Sequence, residues 1–262
     1  MFRIRSFIEY LWIRIIAESW KGNRIYSPFI NDFITNTVRG KDPVNFDKID
    51  KLYKHLQYDS TKLSIRDLGA GSVSGTGQYR RISQILRYSS IKRKYGRLLS
   101  RIVHWISPST IIELGTGAGF STMYMAVSCN QCKVFSIEGC PEIAELAGRN
   151  MKSLSLNNTE IITGSFNEIL PAILQKIHHP LLIFIDGDHL GQNLNGYYET
   201  ILPFTDENSV FVFDDIRWSE SMEKAWKEII KREEISVSLD LFRMGILFFK
   251  KNIRKQHLVV KF

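Results

Sequence analysis

The chain has 262 residues, of which 44% are hydrophobic and 24% charged. This composition is ordinary for a soluble globular protein, and the length predicts one large domain, or one domain plus a cap. The formal net charge of +8 is by itself a weak indication of a polyanionic partner, since most such excesses are solvated surface.

Residues 1–94 are predicted to form a helical cap or lid region. Apolar residues recur at helical spacing from Phe2 to Ile16, which indicates one broad apolar stripe. Glu9, Arg14 and Glu18 interrupt this run, so neither a signal peptide nor a membrane-spanning helix is expected. We expect the helix to pack on its own domain or to form a homodimer, with a membrane-surface helix as the alternative.

Further helices are predicted from Pro28, with Ser27 as the cap, and over 46–56. The stretch from Ile65 to Gly77 also contains an acid followed by G-x-G, but no apolar helix follows it. We therefore interpret Gly69 to Gly77 as a flexible loop over the substrate.

No acidic residue occurs between Asp67 and Glu113, and the cations in that gap predict a basic face. We favour a solvated helix face, with contact to nucleic acid, an acidic substrate or an anionic membrane as the alternatives. These cations are Arg80, Arg81, Arg87, Lys92, Arg93, Lys94, Arg97 and Arg101.

The main domain is predicted over 95–252, where the alternation of elements predicts a parallel sheet covered by helices on both faces. Helices are expected in it at 95–106, 120–128, 141–154, 166–177, 194–202 and 219–232, and a short helix precedes it at 81–87. Strands are expected at 110–114, 133–137, 159–163, 181–185 and 209–213. Two more strands, 235–241 and 245–249, are too close for a crossover and should pair antiparallel. The basic and apolar tail, 253–262, is not assigned.

A glycine turn follows the first of these strands and predicts a nucleoside site. Alternate glycines in Gly115-Thr-Gly-Ala-Gly119 let the backbone turn sharply and approach a ligand. Glu138 ends the next strand, where an acid can bind both hydroxyls of a ribose. Phe120 stands in place of the last glycine of the dinucleotide fingerprint, and no P-loop sequence occurs.

The segment Glu113-Leu-Gly-Thr-Gly-Ala-Gly119 resembles motif I of the class I S-adenosylmethionine-dependent methyltransferases. Three further segments are similar in order and spacing to the F-x-D-x-D-[KH] … Y … DN pattern of the catechol O-methyltransferase-like branch. They are Ile183-Phe-Ile-Asp-Gly-Asp-His189, Tyr197-Tyr198 and Val210-Phe-Val-Phe-Asp-Asp-Ile216. The resemblance implies a Rossmann-like, seven-stranded, mostly parallel sheet with an antiparallel C-terminal hairpin.

The resemblance also implies the site residues. Those expected to bind S-adenosylmethionine are Glu113, Gly115, Thr116, Gly117, Gly119, Ser121, Glu138, Gly139, Gly164, Ser165, Phe166 and Asp186. His189 is a candidate catalytic residue, because an imidazole can take the proton of an acceptor hydroxyl. Asp186 is the other candidate, because in many class I methyltransferases an acid at this position faces the sulfonium or the substrate.

Asp186, Asp214 and Asp215 are the candidate ligands of a divalent cation, with Mg²⁺ suited to oxygen donors. The family has Asn where this chain has Asp215, so the site gains a negative charge.

The expected function is methyl transfer to a small-molecule acceptor, at oxygen, in a cytoplasmic protein. The alternatives are a nucleic-acid methyltransferase that uses the basic face over 80–101, and a non-catalytic nucleoside-binding protein.

Overall fold

The computed structural model describes residues 27–65, 79–188 and 190–262. The predictions for the N-terminal amphipathic helix, for the glycine-rich stretch over 66–78 and for His189 lie outside these residues. The helices are α1 Pro28–Phe33, α2 Asp47–Leu56, α3 Ile82–Ser89, α4 Arg93–Ile106, α5 Phe120–Ala126, α6 Pro141–Ser153, α7 Phe166–Leu174, α8 Gly191–Ile201 and α9 Glu220–Ile229. The strands are β1 Lys62–Ser64, β2 Tyr79–Arg81, β3 Thr110–Leu114, β4 Lys133–Glu138, β5 Thr159–Thr163, β6 Leu181–Ile185, β7 Val210–Phe213, β8 Val237–Asp240, β9 Gly245–Phe248 and β10 Gln256–Val259. A π-helical turn, Ile34–Val38, extends α1, and a 3₁₀ turn, Leu202–Phe204, follows α8.

Strands β3 to β10 form one sheet in the order β10-β8-β9-β7-β6-β3-β4-β5. Every neighbouring pair is parallel except those that involve β9, which runs antiparallel to β7 and to β8. The predicted parallel sheet with an antiparallel hairpin is therefore confirmed. The predicted count of seven strands is wrong, because the unassigned tail supplies an eighth strand, β10, which pairs parallel with β8.

The central strands β3 and β6 consist of buried residues along their whole length, as expected for strands with helices on both sides. One face packs under α1 to α6 and the other under α7 to α9. The N-terminal helices share this core, since the ring of Phe33 lies edge-on to that of Phe248 with centroids 4.9 Å apart. Residues 27–65 thus cover the sheet directly.

The register brings the candidate residues to one edge of the sheet. Leu114 at the end of β3 pairs with Ile185 at the end of β6, and Ile185 pairs with Phe213 at the end of β7. The segments that follow these strands must therefore lie side by side, as in other open parallel sheets.

Strands β1 and β2 form a separate antiparallel ribbon in which Lys62 pairs with Arg81. Within 27–65, 79–188 and 190–262, no helix has the length and apolar character needed to cross a bilayer.

Candidate cofactor site and acidic cluster

The turn after β3 has the backbone conformation that its glycines predict. The φ angles of Gly115, Gly117 and Gly119 are 101°, 53° and 85°, in the left-handed region that favours glycine. A Cβ on Gly115 would lie 2.7 Å from the carbonyl oxygen of Asp186. The turn is therefore pressed against the end of β6, with no space for a side chain at its first residue.

Glu138 faces this turn from the end of β4. One carboxylate oxygen, Oε2, accepts a hydrogen bond of 2.9 Å from the amide of Gly117, and Oε1 accepts one of 3.0 Å from the amide of Cys140. The side chain is half-buried, as is the adjacent Gly139. The carboxylate of Glu138 is therefore held against the glycine turn by two backbone amides.

Glu113 lies beneath the turn and is fully buried. Its Oε2 accepts hydrogen bonds from the hydroxyls of Thr122 and Ser136, the latter at 2.6 Å. The hydroxyls of Thr116 and Ser136 lie 2.6 Å apart, and Ser121 is also buried. Burial raises the pKa of Glu113 to about 7, because desolvation disfavours the charged form. Glu113 therefore supports the turn from inside the protein.

The sequence interpretation missed Ser136. A lone hydroxyl in the apolar strand Lys133–Glu138 was the available signal, because a buried polar side chain needs a partner.

The segment after β5 approaches the same edge. The amide of Gly164 donates a 3.0 Å hydrogen bond to the carbonyl oxygen of Glu138. Ser165 precedes α7 without a side-chain capping bond, and Phe166 lies edge-on to Tyr197 at 5.5 Å. A Cβ on Gly187 would lie 2.7 Å from the ring of Phe166. Gly187 therefore allows the ring at the start of α7 to pack against the segment after β6, which the sequence interpretation did not anticipate.

The three candidate metal-ligating aspartates converge. Carboxylate oxygens of Asp186, Asp214 and Asp215 lie within 4.8 Å of one another. Burial, and then the neighbouring Asp214 and Asp215, raise the pKa of Asp186 well above its ordinary value. Burial and Asp214 raise the pKa of Asp215 to about 6. The cluster is thus strained by like charge, as three close carboxylates must be.

An arginine that the sequence interpretation did not include lies in this cluster. Arg243 donates from Nε and Nη2 to the two oxygens of Asp214 at 2.7 and 2.6 Å. Its Nη2 lies 3.4 Å from Asp215 Oδ2, and its Nε lies 3.3 Å from Asp215 Oδ1. The carboxylate oxygens of the three aspartates are of the type that Mg²⁺ prefers. However, both oxygens of Asp214 already bind the guanidinium of Arg243, so the cluster does not fit a metal ion beside that side chain.

The sheet register explains why Arg243 reaches the cluster. Gly245, the first residue of β9, pairs with Phe213, the last residue of β7. Residues just before β9 therefore lie beside residues just after β7. The signal in the sequence was an arginine in the short connection of the predicted antiparallel hairpin.

A cavity of about 1050 Å³ opens above the aspartates. Its walls come from α2, the 87–93 segment, the first helix after the glycine turn and the ends of β6 and β7. It is lined by Asp50, Tyr53, Lys54, Gln57, Arg87, Tyr88, Ser89, Ser90, Ile91, Lys92, Arg93, Phe120, Tyr124, Asp186, Asp215, Trp218 and Arg243. Trp218 is 50% exposed. Arg217 does not line the cavity and instead pairs with Asp240 at 2.6 Å.

The basic segment over 80–101 is partly neutralised within the protein. Arg97 and Arg101 each donate to Asp42 at 2.7 Å, and Arg93 pairs with Asp50. Arg101 is 9% exposed and also donates to a backbone carbonyl of the π-helical turn. The expectation of a single solvated basic face is therefore wrong for Arg101, which anchors the N-terminal region to α4.

Together, the strand order, the single antiparallel strand and the glycine turn facing an acid define the fold of the class I methyltransferases. A methyltransferase-domain family model matches residues 112–216, which include the turn, Glu138 and the three aspartates. The predicted resemblance to class I S-adenosylmethionine-dependent methyltransferases of the catechol O-methyltransferase-like branch is confirmed.

A catechol O-methyltransferase of Niastella koreensis is 28% identical over 130 residues. The match covers 48% of this chain and 58% of that protein, so this chain spans little more than half the length of that relative.

An O-methyltransferase of Bacillus cereus, in complex with S-adenosylhomocysteine, superposes with a TM-score of 0.54 at 18% identity, covering 84% of this chain and 97% of that one. The O-methyltransferase TomG of Streptomyces achromogenes, in complex with S-adenosylmethionine, gives 0.55 at 16% identity, covering 64% and 87%.

Proposed function

We propose that this protein transfers a methyl group from S-adenosylmethionine to an oxygen of a small-molecule acceptor. The observation that carries the proposal is the carboxylate of Glu138, held 2.9 Å from the Gly117 amide at a turn of three left-handed glycines. That arrangement suits a ribose diol bound across the turn. The names of the relatives and the ligands in the solved relatives support the same chemistry.

The chain's own residues would bind the cofactor and orient it. Glu138 would accept hydrogen bonds from the sugar hydroxyls, and the turn at Gly115 would let the amino-acid end lie close to the end of β6. S-adenosylmethionine supplies an activated methyl group when bound, so the protein mainly positions the two partners and excludes water.

The cavity of about 1050 Å³ is the proposed acceptor site. Its volume suits a small molecule together with part of the cofactor. Trp218 and Tyr53 offer apolar faces to the acceptor, and Asp186 lies at the floor beside the glycine turn. As the new oxygen–carbon bond forms and the carbon–sulfur bond breaks, the acceptor's hydroxyl proton must leave. His189 remains the predicted base for that proton.

Nucleic acid is a weaker candidate acceptor. Three cations of the basic segment, Arg93, Arg97 and Arg101, are paired with Asp42 and Asp50, which reduces the charge available to a phosphate backbone. A steep dependence of RNA or DNA binding on salt would favour this alternative.

The test combines binding with turnover. Calorimetry should detect S-adenosylhomocysteine binding to the purified protein. A screen of phenols, vicinal diols and other hydroxyl acceptors should then release S-adenosylhomocysteine from S-adenosylmethionine with at least one class. Binding without turnover across a broad screen would support a non-catalytic nucleoside-binding protein, and absence of binding would refute the cofactor assignment.

A further inference from the structure

The acidic cluster at the ends of β6 and β7 already contains a cation that belongs to the chain. Arg243 makes two hydrogen bonds to Asp214, at 2.7 and 2.6 Å, and its nitrogens lie 3.3 and 3.4 Å from oxygens of Asp215. A planar guanidinium matches a carboxylate in this fork geometry, which a lysine cannot reproduce. The guanidinium thus lies between two of the three proposed metal ligands.

A divalent cation would compete for the same oxygens. Mg²⁺ requires ligand oxygens at about 2.0–2.1 Å and Ca²⁺ at about 2.3–2.6 Å. A metal ion bound to Asp214 and Asp215 would therefore lie within a few ångströms of the Arg243 nitrogens, and two cations at such a distance repel strongly. Metal and guanidinium cannot both occupy the cluster in this geometry.

The position of Arg243 is fixed by its surroundings. It lies in the connection between β8 and β9, where its carbonyl accepts a 3.0 Å hydrogen bond from Ile216 and its amide donates one of 2.9 Å to Leu241. Its guanidinium carbon lies 5.4 Å from the centre of the Tyr95 ring, a cation–π distance. The side chain is 22% exposed, so moving it away would break several contacts at once.

Arg217 holds the same connection from the other side. It donates to both oxygens of Asp240, at 2.8 and 2.6 Å, and at 2.8 Å to the carbonyl of Phe242. Both arginines therefore join the segment after β7 to the β8–β9 connection, Arg217 through Asp240 and Arg243 through Asp214. The one that faces the cavity is Arg243.

We propose that Arg243 replaces the divalent cation in the Asp186–Asp214–Asp215 cluster, so that the native cluster binds no metal. It follows, on the basis of the proposed function, that methyl transfer by this protein is independent of Mg²⁺. The aspartates are a cation site only when the guanidinium is removed. The acceptor therefore meets a guanidinium at the position where a metal-dependent relative presents an ion.

The direct test is a titration of the cofactor-free protein with Mn²⁺ and Ca²⁺, followed by calorimetry and by the Mn²⁺ electron paramagnetic resonance signal. Wild type should show no stoichiometric binding at millimolar ion. Arg243→Gln should bind either ion at least about tenfold more tightly, because three oxygen donors lose their internal cation. Arg243→Lys, which keeps the charge but cannot form the fork, should bind either ion less tightly than Arg243→Gln.

Arg93→Gln is the matched control. Arg93 lines the same cavity but pairs with Asp50 and not with the cluster, so its removal should produce no metal site. Stoichiometric binding by wild type would overturn the proposal, and so would the absence of any gain in a folded Arg243→Gln protein. If Arg243→Gln does not fold, the wild-type titration still decides, since tight binding there contradicts the proposal.

The activity measurement is separate from these titrations. Once the screen has identified an acceptor, the rate of its methylation should be unchanged by EDTA and by added Mg²⁺. Loss of turnover in EDTA would overturn the metal-independence. Failure of S-adenosylhomocysteine to bind would refute the proposed function and leave the metal titrations unaffected.

Discussion

Replacing Glu138 by alanine is the sharpest perturbation of the proposed cofactor site. Its carboxylate is half-buried and already accepts hydrogen bonds from the amides of Gly117 and Cys140. It is therefore oriented before any ligand arrives, so little entropy is lost when it binds one. In the proposed complex it would accept hydrogen bonds from both hydroxyls of the ribose.

The expected loss can be worked from these contacts. A hydrogen bond to a charged group contributes about 1.5–3 kcal/mol. The lower end applies, because the site is partly exposed and the two amides already share the carboxylate. Two such bonds then give about 3 kcal/mol, which corresponds to roughly a hundredfold in the dissociation constant. Glu138→Gln keeps one acceptor oxygen, so its loss should be smaller than that of Glu138→Ala.

The assay is calorimetry with S-adenosylhomocysteine on wild type and both variants. Glu145→Gln is the control, since Glu145 is exposed on the helix that follows and pairs only with Arg149 among the described contacts. Thermal unfolding of each protein separates a local effect on binding from a collapse of the turn. If folded Glu138→Ala binds as tightly as wild type, the ribose assignment is refuted.

Four further outcomes can be checked by urea unfolding. Gly115→Ala should cost at least about 2 kcal/mol, because φ is 101° and its Cβ would lie 2.7 Å from a backbone carbonyl. Gly148→Ala, on a helix with nothing within 4 Å of the new Cβ, should be neutral or stabilise by about 0.5–1 kcal/mol. Burial raises the pKa of Glu113 from 4.5 to about 7. Its contribution to stability is therefore complete below pH 4.5 and lost as the pH rises to about 7. Glu113→Gln should remove up to about 3 kcal/mol of this pH dependence, and an unchanged slope would contradict the assignment. Asp240→Ala should cost about 3 kcal/mol or more by leaving the cation of Arg217 without its buried partner, and a loss near zero would contradict this.

The strands of the main domain were predictable because their sequence signal is local. Thr110–Leu114, Thr159–Thr163 and Leu181–Ile185 have the predicted bounds, since each is a short apolar or β-branched run with turn residues at both ends. Helix ends were less accurate: α7 ends at Leu174 and not at Ile177. Helix ends depend on capping and packing as well as on the spacing of apolar residues.

Strand β10 forms by pairing with the edge of β8, and the sequence of the tail gives no sign of this partner. Residues 253–262 mix cations with apolar side chains and show no clear alternation. Gln256–Val259 becomes a strand because the free edge of β8 supplies its hydrogen bonds. Likewise, the many cations over 80–101 predict an exposed basic face from composition alone. The contact of Arg101 with Asp42 spans 59 positions along the chain, which no local pattern encodes.

The acidic cluster pairs one departure from the family pattern, Asp215, with an arginine of the β8–β9 connection. Asp215, where the resemblance implies Asn, adds a negative charge beside Asp186 and Asp214, which by itself would make the cluster less stable. Arg243 adds a positive charge that contacts both members of the Asp214–Asp215 pair. A bound metal would already neutralise two charges of an Asp, Asp, Asn site, so a further carboxylate has no evident purpose there. Beside a singly charged guanidinium, a second carboxylate adds an ion pair and a longer hydrogen bond from Nη2, at 3.4 Å. The acid at 215 and the arginine at 243 are therefore best understood as one paired feature. Asp215→Asn should accordingly loosen Arg243 and not create a metal site while the guanidinium remains.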